Sequence, residues 1–467
     1  MKPYSRNPSL LVRLQAIVDR LLKHKALAQG RESLVGRSAL LFVIRVGGTG
    51  LAFLYGVLLA RLMGVTEYGL YTYVMAWMQV LTYPATFGMD TLMMRNIATY
   101  QAQEQWGLMQ GQLVLSRRFV LALSLALVLI VAGVAWLAFT PTNPGTVIAF
   151  WIGSLLIPIN ALNSVRQGTL RGLHYVILGQ APEIVLRPLL ALTLTASVGV
   201  LFGFSLSGTW AVAIYVVVAI AVLLIGTVFL QQRLPHQLSG TTPTFDTKLW
   251  ITSALPIAFT ATASVLNNRL GILMVGSILG KTDAGFYAAV TRGADLVTFV
   301  LLSTNFTIAP TIARVYALKQ TARLQRVLVQ SAWVAFLGCL PIALGFIFMG
   351  EWFLALYGAE FTVGSTALAI VCIGQMINAA TGPVGLALNM TNHSRDTVLP
   401  LLISNILNII LSFALIPILG LVGAALANVA GMVFWNLLLV YLVYKRLGVY
   451  PTIFGILARW RGKRAEP

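Results

Sequence analysis

The sequence predicts an all-α membrane protein of about 12 transmembrane helices in two six-helix bundles, with its N- and C-termini cytoplasmic. Three observations predict this. Of 467 residues, 58% are apolar and only 10% are charged. A soluble domain is about 25% charged, so this chain lacks the polar surface to stay in water, and soluble enzyme folds are excluded. The apolar residues form twelve runs, each near the ~20 residues needed to cross a bilayer. The basic residues between those runs alternate in density, 26 on one side and 2 on the other. Cytoplasmic loops are enriched in Lys and Arg, so the 26 fix the orientation.

Residues 1–37 carry eight Lys and Arg among Leu10, Leu14, Ile17, Val18, Leu21 and Leu22. That spacing suits a basic amphipathic helix on an anionic leaflet; a basic tail serving only to set orientation fits equally. It is not expected to be a cleavable signal, because charges recur from Lys2 to Arg37. The N-terminal bundle spans 38–230, with helices near 38–62, 70–91, 115–139, 146–166, 180–203 and 208–230. A cytoplasmic linker, 231–248, leads to the C-terminal bundle, 249–444. Its helices are expected near 249–279, 285–310, 327–349, 362–388, 397–418 and 421–444, followed by a basic cytoplasmic tail, 445–467. The runs are continuous rather than alternating, which argues against a β-barrel.

The net charge of +19 follows from this loop placement, so no nucleic-acid partner is expected. Cys339 and Cys372 lie singly in apolar runs, and neither a disulfide nor a metal site is expected. No Walker motif is present, and no cofactor is expected. The outer connections are short, the longest near Glu351 to Phe361, which leaves no room for an outer catalytic domain.

One segment recurs. Gly64-Val65-Thr66-Glu67-Tyr68-Gly69-Leu70-Tyr71 and Gly280-Lys281-Thr282-Asp283-Ala284-Gly285-Phe286-Tyr287 share G-x-T-[E/D]-x-G-x-Y at an offset of 216. Arg95 to Tyr100 and Thr311 to Tyr316 close the following span in each copy. The copies lie an even number of spans apart, so they share orientation. A parallel repeat of this kind places a cleft between two halves that rock about it, which reads as a transporter.

Charges inside the spans mark function or fasten helices. Arg45 and Arg269 occupy the first and seventh spans with no acid within four residues. Arg292 has Asp295 three residues on, and Arg187 has Glu183 four before; such pairs share a helix face and can neutralise each other. Unpaired guanidiniums in a cleft suit phosphate oxygens. The candidate substrate-binding residues are therefore Arg45, Arg269, Arg292, Asn267 and Asn268. Asn305, Gln375 and Asn378 are further amides that could meet sugar hydroxyls or bond between helices. Asp295, Glu183, Arg187 and Asp90 are candidate coupling groups or structural ion pairs. The Gly47-Gly48-Thr49-Gly50 stretch and prolines such as Pro84 and Pro188 permit bending.

The stretch Ala60 to Tyr71 (A-R-L-M-G-V-T-E-Y-G-L-Y) resembles the polysaccharide-biosynthesis and oligosaccharide flippases, the Wzx-like branch of the MOP superfamily. Gly280 to Ala289 (G-K-T-D-A-G-F-Y-A-A) and Ile418 to Ala427 (I-L-G-L-V-G-A-A-L-A) resemble the same family, and the likeness covers roughly residues 38–445. The resemblance implies a MATE/MOP-like, V-shaped pair of bundles in the bacterial cytoplasmic (inner) membrane. It implies movement of a lipid-linked oligosaccharide, carried on undecaprenyl diphosphate, from the cytoplasmic to the outer leaflet by alternating access. Arg45, Arg269 and Arg292 are then the expected diphosphate contacts. Membrane lipids and polysaccharide assembly proteins are the implied partners. The alternatives are a cation-coupled multidrug exporter of the same superfamily, which would want acids in its cleft, and a membrane enzyme such as an oligosaccharide polymerase.

Overall fold

The computed structural model describes residues 32–139, 144–202 and 206–455. The basic segment predicted at 1–37 therefore lies outside the described residues, apart from the backbone of 32–37. The described part of the N-terminal half contains α1 (Glu32–Thr86), α2 (Met89–Ala102), α3 (Trp106–Phe139) and α4 (Pro144–Ser154). It continues through α5 (Leu156–Gly172), α6 (Val176–Ala181), α7 (Arg187–Phe202) and α8 (Gly208–Arg233). The C-terminal half contains α9 (Thr247–Ile278), α10 (Lys281–Ala317), α11 (Thr321–Ala355), α12 (Ser365–Thr381), α13 (Val384–Met390) and α14 (Val398–Leu447). There is no strand among the described residues.

Ten helical stretches among the described residues are long and apolar enough to cross a membrane. Two are too long for one crossing. Val43–Thr86 has 44 residues and Ser394–Leu447 has 54. At 1.5 Å per residue these measure about 66 and 81 Å, against a hydrocarbon core of about 30 Å. Each is bent by a glycine, α1 at Gly64 and α14 at Gly420, and each carries two of the predicted spans. Twelve crossings result.

Two predicted boundaries need correction. The second span was drawn to residue 91 but ends at Thr86, where Phe87 and Gly88 take positive φ of 52° and 68°. The apolar run continues because Met89, Leu92, Met93 and Ile97 of α2 are buried against protein. The tenth span was drawn to 388 but ends at Thr381, where Gly382 (φ 80°) and Pro383 interrupt it. In both places hydropathy reports burial, and burial in protein reads the same as burial in lipid.

The repeated motif meets its own copy. Gly64 (φ 71°, ψ 174°) and Gly280 (φ 104°, ψ −178°) occupy the same repeat position, in a backbone region open essentially to glycine alone. Each turns the chain from one span into the next at the outer surface. Gly69 then packs directly on the Lys281 carbonyl, where a side chain would collide. Thr66 Oγ1 and Thr282 Oγ1 lie 3.1 Å apart. Arg61 adds hydrogen bonds to the carbonyls of Leu356 (2.7 Å) and Ala355 (2.9 Å). Tyr73 and Ser277 hydroxyls add a 2.9 Å bond. The outer ends of the two halves are thus tied together around the pseudo-axis.

Toward the cytoplasm the halves meet along one edge. There the Trp250 indole N–H donates to the Tyr100 hydroxyl at 2.9 Å, and Gly88 seats against the backbone of Ala254 and Ala258. Between this edge and the outer ties lies the cavity.

Candidate functional site

Two connected chambers occupy the space between the halves. The outer chamber, about 300 Å³, is lined by Tyr55, Tyr71, Tyr215, Thr291, Arg292 and residues below them. The cytoplasmic chamber, about 510 Å³, is lined by α1 below Met75, by α5 from Asn160 to Arg171, and by α9 from Ala261 to Arg269. Met75, Gln79, Glu183, Arg187, Tyr215 and Arg269 line both, so they form the neck. Their combined size lies within the range of small-ligand sites.

The neck is built by a local defect in the fifth crossing. Pro188 has no N–H to give to the Ile184 carbonyl, and Pro182–Leu186 adopts a π-helical turn. Such turns sit often at functional sites. Gly48 of α1 lacks a side chain and lets the Ile184 carbonyl approach it. The result aims Glu183 and Arg187 into the neck. Arg187 Nη1 donates to Glu183 Oε2 at 2.8 Å, and Nη2 donates to Asn160 Oδ1. Its guanidinium carbon stands 4.9 Å from the Tyr215 ring centroid. Asn163 donates to the other Glu183 oxygen and accepts from Arg166 Nε at 2.8 Å. Glu183–Arg187 is therefore both a structural ion pair and part of the cavity wall.

Arg269, from the opposite half, donates Nε to Gln79 Oε1 at 2.8 Å. That acceptor is neutral, and Arg269 has no carboxylate in direct contact among the described residues. Arg292 lines the outer chamber with Asp295 a loose 3.9 Å away and more than half exposed. Arg171 and Asp90 pair at 3.4 Å near the cytoplasmic mouth. Four arginines and two carboxylates thus line the chambers, and Asp295 beside Arg292 reduces the excess to one positive charge.

The remaining predicted residues fall elsewhere. Arg45 does not line either chamber. Its Nη2 donates to Gln180 Oε1 at 3.3 Å and its guanidinium lies 5.0 Å from the Phe306 ring centroid, which places it on the flank where α1 faces α10. Asn268 lines the cytoplasmic chamber, whereas Asn267 turns to α14 and donates to Asn405 Oδ1 at 2.7 Å. Asn378 accepts from Asn436 and donates to Gln375, an internal network of the C-terminal half. Asn305 lines neither chamber. The residues that sequence reading missed are the tyrosines Tyr55, Tyr71 and Tyr215 and a stripe on α5. In that stripe Asn160, Ser164, Gln167 and Arg171 recur at helical spacing, which was the available signal.

The sequence profile of a family described as "Polysaccharide biosynthesis protein" matches residues 58–365, about two thirds of the chain. A probable flippase, AglR, of Haloferax volcanii is 27% identical over 192 residues, 40% of each chain. A probable low-salt glycan biosynthesis flippase, Agl15, of the same organism is 24% identical over 160 residues, 34% of each. The chain thus spans about 40% or less of the length of these curated relatives. Among solved structures, an inward-facing multidrug resistance MATE family transporter of the MOP superfamily superposes with a TM-score of 0.70 at 14% identity. That match covers 86% of this chain and 94% of the transporter. The lipid II flippase MurJ, in an inward closed conformation, gives 0.68 at 14% identity over 87% of each chain. These likenesses show a MOP-type membrane fold.

Proposed function

Because the chain belongs to this polysaccharide biosynthesis protein family, we propose that it is a flippase for a lipid-linked glycan precursor in the cytoplasmic membrane. Its finer substrate is an oligosaccharide on undecaprenyl diphosphate, the carrier of bacterial membranes, and its direction is from the inner to the outer leaflet. The names of its relatives, a probable flippase and a probable glycan biosynthesis flippase, support the general class. One observation carries the reading of this chain: Arg269 crosses the neck to an amide oxygen and Arg292 has only a loose partner. The cavity therefore holds cationic groups that a diphosphate would complete. Guanidinium binds phosphate by parallel hydrogen bonds, and in a site shielded from water that attraction is large.

The lipid tail stays in the bilayer while the head group passes the neck. Arg187 and Arg269 face it from opposite halves, so a diphosphate between them couples binding to the approach of the halves. Arg45, on the α1–α10 flank, meets the head group before it reaches the neck. Asp90, Glu183 and Asp295 each stand beside an arginine and serve as ion pairs that a coupling cation would have to open. A multidrug exporter for cations is disfavoured by the surplus positive charge.

The test is reconstitution. Liposomes holding the full-length protein and a fluorescent polyprenyl-diphosphate saccharide are assayed for exposure of the label to an impermeant quencher. Protein-dependent exposure is expected; exposure no faster than in protein-free liposomes refutes the flippase.

A further inference from the structure

The cytoplasmic chamber has a chemical character of its own, distinct from the arginines of the neck. Two of its amides are oriented by those arginines. Gln79 gives its side-chain oxygen to Arg269, and Asn160 gives its own to Arg187. Each amide nitrogen makes no hydrogen bond among the described residues and is left as an N–H₂ donor in a residue that lines the chamber. Gln167 on α5 and Asn268 on α9 line the same chamber and make no side-chain hydrogen bond among the described residues, so each offers a donor and an acceptor. The other ions at the chamber wall, Asp90–Arg171 and Glu183–Arg187, are paired. The wall is therefore a ring of four neutral amides on both halves, Gln167 and Asn268 wholly uncommitted and Gln79 and Asn160 free at nitrogen, directly against the cationic neck.

We propose that this ring is the saccharide subsite, and that it takes the neutral, hydroxyl-rich sugar attached directly to the diphosphate. The assignment rests on the flippase reading. A sugar hydroxyl both donates and accepts, which matches Gln167 and Asn268. Its oxygens also accept from the donors that Gln79 and Asn160 present. The subsite shares Gln79 and Asn160 with the neck, so the sugar and the diphosphate read as one contiguous ligand. The sugar lies on the cytoplasmic side of the phosphates while the outer ends of the halves are closed. Because α5 and α9 belong to different halves, the same sugar bridges them.

The experiment uses purified full-length protein in lipid nanodiscs and two probes, a polyprenyl diphosphate and the same lipid bearing one N-acetylhexosamine. Wild type is expected to bind the sugar-bearing lipid several-fold more tightly. Gln167→Leu and Asn268→Leu are each expected to cut that preference by about three- to tenfold, the loss of one or two hydrogen bonds, through weaker binding of the sugar-bearing lipid. Arg269→Gln is expected to weaken both lipids and to change their ratio less than Asn268→Leu does, through Gln79 alone. Asn268 is exposed in the chamber, so its variant tests the subsite even where Gln167→Leu fails to fold. A preference unchanged in Asn268→Leu, or equal weakening of both lipids by it, overturns the subsite. Equal binding of both lipids by wild type also overturns it and leaves the flippase reading standing. Binding of neither lipid by wild type removes the flippase reading itself.

Discussion

Arg269 and Glu183 face the same neck, yet their replacement should affect stability differently. Arg269 is a cation held by one neutral acceptor, with no carboxylate in direct contact among the described residues. Removing it relieves desolvation of a charge while deleting charge-assisted bonds to a phosphate, worth about 1.5–3 kcal/mol. Arg269→Gln is therefore expected to lower flipping roughly 10- to 100-fold with an unchanged or higher thermal midpoint. A midpoint that falls together with activity would mean that Arg269 is structural. Glu183 compensates Arg187 and accepts from Asn163. Glu183→Gln leaves a mostly buried guanidinium without its counter-ion, a change that costs about 3 kcal/mol in buried pairs. A clear drop in the thermal midpoint is expected, and none would show that water in the cavity screens Arg187. The arginines were legible in the sequence because a charge interrupts an apolar run. The amides of α5 were not, since a neutral amide barely disturbs hydropathy. Asn267 and Asn268 show the further limit: adjacent positions differ by about 100° around a helix, and only packing decides that Asn268 meets the cavity while Asn267 meets Asn405.

The repeated motif explains how two helix pairs close the outer face. Its glycines set the turn and the close approach, and its threonines touch across the pseudo-axis. Alternating access requires this contact to open. The double variant Thr66→Cys with Thr282→Cys is expected to oxidise to an intramolecular disulfide that stops flipping, with activity restored on reduction. Each single variant should stay active. Cys339 and Cys372 are buried and should not compete. Full activity in the oxidised double variant would mean that the outer ends never part. The span count was readable from hydropathy, and the repeat from its motif spacing. The self-contact was implied by the repeat but could not be read, because symmetry says that two copies are equivalent and not that they touch. The π-turn at Pro182–Leu186 was signalled only as a proline. A proline permits several local geometries, and the choice among them belongs to the neighbouring Gly48.

The whole molecule presents surplus positive charge to the cavity. Those cavity charges are fixed to the protein, so the charge that crosses the membrane is that of the ligand. If both negative charges of a diphosphate traverse the full field outward, an inside-negative potential favours the step by about 4.6 kcal/mol per 100 mV. A potential of that size could drive the cycle without a nucleotide. In liposomes with the cytoplasmic face inward, a valinomycin-clamped potassium gradient that makes the lumen negative should accelerate outward flipping, and the reversed gradient should slow it. Arg269→Gln is expected to lower the rate and keep the dependence, because the charge that moves is the ligand's. Rates insensitive to the clamp, but responsive to a proton or sodium gradient, would shift the driving force to the ion pairs at Asp90, Glu183 or Asp295. The electrostatics of the neck would then be devoted to recognition alone.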